Sequence, residues 1–309
     1  MIRVSAGKEG KMADIKGINL AMRTPFDKEG AVDYSRFESL IDQYLETGMH
    51  GFALSSGTGQ HAYLTEAECN KLFELGVKRI DGRATVICQS SALNLDEVIR
   101  RSKAAQDLGA DALMILPPYF EGPTHDDGIF AFYEHVNEAV SIDIVGYNVP
   151  LATGIEFSPD RFKRLNELEH FNYIKDSSGD FAKQQALLAT GGKILNGADP
   201  TAPYSFMAGC IGTIWGCANF FPREAVRLYD LVQAKKYDKA MVLWARMFPS
   251  VAYCWFNDYT PAVSAACRQM GFDGGTVRAP VCEIGAEEEA KLAAALTPLR
   301  GDAGSRDCG

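Results

Sequence analysis

The chain has 309 residues, 47% of them apolar, and a formal net charge of −9 at pH 7, so it can bury a substantial core. The acidic balance comes without a basic cluster, which makes nucleic acid and anionic membrane surfaces poor candidate partners. No apolar run approaches the roughly 20 residues needed to cross a bilayer, and the polar start lacks the apolar segment of a secretory signal. We therefore expect a cytoplasmic protein.

Short apolar runs alternate with amphipathic stretches of helical period along most of the chain. The predicted strands are residues 18–22, 51–54, 84–88, 112–116, 142–147, 171–174, 193–196 and 212–215. The predicted helices that follow them are residues 34–47, 66–80, 95–108, 129–140, 159–166, 181–190, 202–207 and 222–233. Eight such pairs without a dinucleotide-binding GxGxxG motif predict a closed (β/α)8 TIM barrel over residues 13–233.

Only helices are predicted after residue 233, over residues 237–248, 261–270 and 286–295. This change predicts a C-terminal helical region over residues 234–300 rather than a ninth strand–helix pair. Residues 1–12 and 301–309 are predicted to be flexible tails.

The cysteines and histidines argue against disulfides and metal sites. The eight cysteines include no CxxC pair and several lie in apolar segments, which predicts reduced thiols in the core of a cytosolic protein. The five histidines show no paired ligand spacing, so no metal ion is expected, and no other cofactor is expected either. His61, just after a glycine-rich loop, is predicted to be exposed to solvent.

Two predicted strands end in reactive side chains. Lys175 follows the apolar run of residues 171–174, and Tyr147 ends the preceding strand. Burying an ammonium group is costly, which favours the neutral amine that attacks carbonyls; a lysine that extends into solvent is the structural alternative. A phenol can carry a proton. Because chemistry in such barrels gathers at the carboxyl ends of the strands, the two residues predict an active site there.

The loop Gly57-Thr58-Gly59 follows the second predicted strand and can present backbone amides to an anion. A plain turn is the alternative. Together with Lys175 and Tyr147, such a loop suits a 2-oxo acid. The amine condenses with the ketone, the amides hold the carboxylate, and the protonated imine accepts electrons when a bond at the adjacent carbon breaks or forms.

With these residues in place, nearly the whole chain resembles the pyruvate-dependent class I aldolases typified by dihydrodipicolinate synthase and N-acetylneuraminate lyase. The YNxP motif of that family is present at 147–150, and its GxTGE-like loop is similar to residues 56–60. The resemblance implies that Lys175 forms a Schiff base and that Tyr147 transfers the proton. It further implies that Gly57 and Thr58 bind the substrate carboxylate, and that the protein is a homotetramer.

Three more residues occupy positions that in the lyases of this family face the distal part of the substrate. They are Ser177, Asp199 and Thr213. Each also has a structural alternative as a loop cap or a turn residue.

The chain departs from the family pattern at four positions. Dipicolinate synthases carry an arginine two residues after the YNxP proline, where this chain has Ala152. The hydroxyl-bearing residue before the loop threonine is Gly57, and the loop glutamate is Gln60. The aromatic residue that a neighbouring subunit contributes in the family is Phe120, which has no hydroxyl. The usual proton relay is therefore incomplete.

These observations leave several functions open. The first hypothesis is a Schiff-base lyase that cleaves or forms a C–C bond in a hydroxylated 2-oxo acid, with pyruvate as product or donor. The second uses the same imine to dehydrate a 2-keto-3-deoxy sugar acid. Dihydrodipicolinate synthesis, which Ala152 disfavours, and a non-catalytic small-molecule-binding protein are the remaining alternatives.

Overall fold

The structure is a computed structural model, and it describes residues 13–123 and 125–300. Within these residues, eight parallel strands follow one another in chain order around a closed barrel, with the eighth paired to the first. They are β1 Gly17–Ala21, β2 Gly51–Leu54, β3 Thr85–Gln89, β4 Ala112–Ile115, β5 Asp143–Asn148, β6 Phe171–Asp176, β7 Lys193–Asn196 and β8 Gly212–Trp215. The predicted TIM barrel is confirmed.

Helices surround this barrel. They are α1 Tyr34–Leu45, α2 Glu66–Ile80, α3 Leu95–Asp107, α4 Asp126–Ala139, α5 Pro150–Thr153, α6 Pro159–Leu165, α7 Phe181–Leu188, α8 Ala202–Ala208 and α9 Pro222–Gln233. The C-terminal region adds α10 Tyr237–Phe256, α11 Tyr259–Met270 and α12 Ala286–Arg300. α10 packs against α9, α11 and α12, and α11 also contacts the turn Cys217–Asn219 after β8.

Side chains alternate between the barrel interior and the helix layer along each strand, as the pleat requires. The inner cluster takes side chains from every strand, among them Ala21, Ala53, Ile87, Met114, Val145, Tyr173, Leu195 and Ile214. The alternate residues of the strands join the larger cluster between barrel and helices. The apolar face predicted for α1 is buried there, through Phe37, Leu40, Ile41 and Tyr44. This alternation decides which strand residues can reach the site.

Two helices continue past the predicted ends. α10 runs through Pro249 to Phe256, and α12 runs through Pro298 to Arg300. A proline inside a helix removes one hydrogen bond and costs roughly 3 kcal/mol. In α10, Val251 and Cys254 beyond the proline are fully buried, and each such side chain contributes on the order of 1.5–3 kcal/mol. The free energy gained by burying Val251 and Cys254 therefore outweighs the cost of the proline inside α10.

The segments predicted to be tails, 1–12 and 301–309, lie outside the described residues. Among the helices that the structure describes, none is both long and apolar enough to cross a membrane.

Candidate active site

Lys175 and Tyr147 lie side by side at the carboxyl end of the barrel. They are direct partners in the register between β6 and β5. The lysine is only 4% exposed, and its Nζ lies 4.1 Å from the centre of the Tyr147 ring. No carboxylate of the described residues forms an ion pair with this amine. The ring face attracts a cation but cannot neutralise it, so the site holds a buried amine without an ion-pair partner among the described residues.

The end of β7 holds the stem of this lysine. A Cβ atom placed on Gly197 would lie 2.9 Å from both Cγ and Cε of Lys175 and would overlap Oγ of Ser177. The Ser177 hydroxyl donates a hydrogen bond to the Gly197 carbonyl at 2.9 Å. Glycine is therefore required here for close approach, and Ser177 lies directly beside the lysine stem.

The loop after β2 reaches the same place. A Cβ atom on Gly57 would lie 3.9 Å from the Tyr147 hydroxyl. The amides of Gly57 and Thr58 donate no hydrogen bond to any described group. The loop is held from both sides, because Thr24 donates to the Gly59 carbonyl at 2.7 Å and the Gln60 amide exchanges two hydrogen bonds with the backbone of residue 278.

Asp199 lies in the turn after β7 and is 2% exposed. Its Oδ2 accepts a hydrogen bond from the Tyr259 hydroxyl at 2.6 Å and another from the Cys217 amide at 3.3 Å. Burial raises the pKa of this carboxyl, while hydrogen bonds from the Cys217 thiol, the Tyr259 hydroxyl and the Cys217 amide, together with the charge of Lys175, act to lower it. The sequence pointed to Asp199 but not to Tyr259, since the tyrosine comes from the C-terminal region.

Thr213 does not join this group. It precedes Ile214, which faces the barrel interior, so its own side chain faces the helix layer. Its hydroxyl donates to the Asn196 carbonyl at 2.7 Å. The structure thus brings the other predicted site residues to one end of the barrel and places Thr213 in the strand packing behind them.

The prediction that His61 is exposed to solvent is wrong. The side chain is 8% exposed, and its Nε2 donates a hydrogen bond to the Ser91 carbonyl at 2.8 Å. Burial lowers the pKa of the imidazole. The residue follows the loop at 57–59 in a short 3-10 turn that folds back against the end of β3, a contact that local sequence cannot indicate.

A second buried acid lies behind the lysine. Asp176 accepts hydrogen bonds from Asn148 at 2.8 Å, from Gln184 at 3.2 Å and from the Ser178 amide at 3.2 Å. Burial raises the pKa of its carboxyl. This network of hydrogen bonds connects the ends of β5 and β6. In the sequence, the only signal for a second buried acid was that Asp176 directly follows Lys175 at the end of the strand.

Among the described residues near position 152, the cationic side chains are already engaged by acidic partners. Ala152 is exposed on α5. The guanidinium of Arg161 donates a hydrogen bond from Nε to Oδ1 of Asp126 at 3.0 Å. It also donates to the Glu156 carbonyl. Lys163 pairs at 4.0 Å with Asp160. Phe120 is 78% exposed.

The described residues contain no cluster of three or more His, Cys, Asp or Glu side chains arranged to hold a metal ion.

The chain matches the model of the dihydrodipicolinate synthetase family over residues 14–299. A 4-hydroxy-tetrahydrodipicolinate synthase of Methanococcus maripaludis is 29% identical over 287 residues, 92% of this chain and 99% of the relative. One of Pseudomonas putida is 31% identical over 272 residues, 86% of this chain and 92% of the relative. The pyruvate complex of dihydrodipicolinate synthase from Acinetobacter baumannii is 28% identical with a TM-score of 0.88, covering 92% of this chain and 98% of that one. The chain therefore belongs to the dihydrodipicolinate synthetase family, within the pyruvate-dependent class I aldolases, and is a carbon–carbon lyase.

Proposed function

We propose that the protein forms a Schiff base between Lys175 and pyruvate, and that it cleaves or forms a C–C bond in a hydroxylated 2-oxo acid. The observation that carries the proposal is the buried Lys175 amine, which lies 4.1 Å from the Tyr147 ring and has no acidic partner among the described residues. An amine in this setting is a nucleophile for a ketone.

In the cleavage direction, the amine bonds to C2 of the substrate and the keto oxygen leaves as water. Tyr147 then removes the proton from the C4 hydroxyl. The C3–C4 bond breaks, its electron pair moves toward the imine nitrogen, and an aldehyde departs. A proton returned to C3 and hydrolysis of the imine release pyruvate. Tyr147 thus accepts a proton as general base and, once it is the phenol, returns one to C3 as general acid.

The amides of Gly57 and Thr58 supply a site for the substrate carboxylate. Both are without an acceptor among the described residues, and the Cβ position of Gly57 is 3.9 Å from the Tyr147 hydroxyl. Adjacent free amides in a glycine loop favour an anion. This arrangement would hold the carboxylate next to the ketone that Lys175 attacks, with Ser177 and Asp199 available to the distal part of the substrate. The side chain of Thr213 faces away from this site, so Thr213 can affect the substrate only by fixing the position of the β8 backbone.

The second candidate is synthesis of 4-hydroxy-tetrahydrodipicolinate, which the names of the relatives favour. That reaction uses an aldehyde bearing a carboxylate, for which arginine is the suited partner. Ala152 provides no charge, and Arg161 is engaged by Asp126. Loss of such a pair in a desolvated site costs about 2–5 kcal/mol, or roughly 30-fold to several thousand-fold in binding. We therefore expect better turnover of 4-hydroxy-2-oxoglutarate than of aspartate semialdehyde with pyruvate, and the reverse order of specificity constants would favour the synthase.

Dehydration of a 2-keto-3-deoxy sugar acid stays an alternative, because the same imine would drive loss of a hydroxyl group as water. Product analysis distinguishes dehydration from cleavage, because the product of dehydration keeps the full carbon chain. A non-catalytic binding protein would give neither product. We also propose a cytoplasmic homotetramer. One similar solved structure, 25% identical, is of a monomeric dihydrodipicolinate synthase variant, so sedimentation at micromolar concentration is the test.

The proposal is tested by adding pyruvate and borohydride and measuring intact mass. One reduced adduct per chain is expected, located on Lys175 and absent from Lys175→Ala. The matched control is Lys193→Ala, because Lys193 also lies over a tyrosine ring, at 4.7 Å from the centre of Tyr173, but at the amino end of its strand. An adduct that persists in Lys175→Ala would refute the assignment.

A further inference from the structure

Tyr259 begins α11, and its hydroxyl reaches the carboxyl end of the barrel. It donates to Oδ2 of Asp199 at 2.6 Å, and the Cys217 amide donates to the same oxygen at 3.3 Å. The Cys217 thiol is a further hydrogen-bond donor to this carboxyl. Tyr259 and Cys217 therefore hold the Asp199 carboxyl in place.

The same hydroxyl lies against the loop that follows β2. A Cβ atom on Gly216 would overlap the Tyr259 hydroxyl and would lie 2.7 Å from Oγ1 of Thr58. The two hydroxyl oxygens thus converge on one point, where glycine leaves the space open. On the other side, Gly197, two residues before Asp199, packs against the stem of Lys175. The Tyr259 hydroxyl therefore lies close to Thr58, and Asp199 lies two residues from the glycine beside the lysine stem.

The charged and titratable groups around Asp199 come from four elements. They are Tyr259 on α11, Cys217 in the turn after β8, Lys175 on β6 and, behind Cys217, Cys254 on α10. Burial raises the pKa of both the Tyr259 phenol and the Cys217 thiol well above their ordinary values, which keeps both groups neutral. Asp199 is the acid among them that can exchange a proton with the amine.

We propose that Asp199, held by Tyr259, carries the protons during imine formation at Lys175, in place of the relay hydroxyls that Gly57 and Phe120 lack. This inference rests on the proposed function and deepens it. As the amine bonds to C2, the Asp199 carboxyl gives a proton to the keto oxygen and regains one from the nitrogen. A second proton from Asp199 then expels that oxygen as water, which carries one proton from the amine and one from the carboxyl. The imine stays protonated, and Asp199 is left as the carboxylate until hydrolysis of the imine returns its proton. Tyr259 acts through Asp199 and is a positioning residue.

The test measures exchange of the C3 protons of pyruvate in D2O, which requires the imine but no further substrate. In full-length Tyr259→Phe, kcat for exchange should fall about 10- to 100-fold, at the lower end of what positioned proton transfer contributes, while KM for pyruvate changes less than about threefold. Removing the donor should raise the pKa of Asp199, and because the protonated carboxyl begins the transfer, the alkaline limb of kcat/KM should move to higher pH. Asp199→Asn should lose at least as much rate and lose this limb.

The matched control is Tyr229→Phe, which removes the hydroxyl of a buried tyrosine that donates to the Ile211 carbonyl at 3.0 Å at the opposite end of the barrel. It should exchange like the wild type. Thermal unfolding verifies that each variant is folded, and if Tyr259→Phe is not, Asp199→Asn decides alone.

Wild-type exchange in either site variant would overturn the inference. So would a loss in Tyr259→Phe that is equal at every pH, because that pattern indicates a structural role only. These results are distinct from a failure of the proposed function, in which the wild type itself forms no adduct and exchanges no proton.

Discussion

A methyl group at position 197 should displace the proposed nucleophile, Lys175. In Gly197→Ala, the new Cβ would lie 2.9 Å from Cγ and Cε of Lys175, whereas ordinary contacts lie at 3.4–4 Å. The lysine stem must therefore move by at least about 0.5 Å, and its terminal amine by a comparable or larger amount. A misplacement on the order of 1 Å can cost about 100-fold in rate. We expect borohydride trapping of pyruvate to slow by about 10- to 100-fold.

The same methyl group also overlaps Oγ of Ser177, which should destabilise the protein by about 1–3 kcal/mol. The double variant with Ser177→Ala removes that overlap but keeps the one with Lys175. It should recover much of the melting temperature and little of the trapping rate. Gly285→Ala is the control, because there the nearest atom to a new Cβ is the flexible Glu288 carboxylate, and trapping should be unchanged.

The measurement is the rate of adduct formation by intact mass, together with thermal unfolding of each variant. Trapping in Gly197→Ala at the wild-type rate would show that Lys175 is not held against β7. Recovery of trapping in the double variant would show that Ser177, and not the lysine stem, was the group displaced.

Three further outcomes are expected. Tyr147→Phe should lower turnover by roughly 10²- to 10⁴-fold with little change in pyruvate binding. Turnover equal to that of the wild type would show that another group transfers the proton. The bond from Arg278 lowers the pKa of Glu68 to about 2; since this is below its unfolded value, the pair stabilises the fold above about pH 4.5 and less as the pH falls toward 2. Unfolding measured against pH should lose this dependence in Glu68→Gln, and identical curves would contradict the assignment. Turnover should persist with a chelator, and a loss restored by a divalent cation would contradict an imine mechanism without metal.

The sequence by itself determined the barrel and the two central residues. Strand and helix patterns are local, because a strand buried on both faces forms a short continuous apolar run and a helix buries every third or fourth side chain. The eight pairs could therefore be counted without coordinates. Lys175 and Tyr147 were found for the same reason, since both stand at ends of consecutive strands and a parallel barrel brings such ends to one face.

Only the tertiary structure decided which residues complete the site. Because side chains alternate along each strand, Lys175 points into the barrel and Thr213 points toward the helix layer. Which residues point inward depends on the register between strands, and closure of the whole barrel sets that register. Tyr259 and Asp199 are 60 residues apart, and His61 is buried by the end of a different strand. Contacts of this kind arise from packing between distant segments, and no local pattern of residues encodes them.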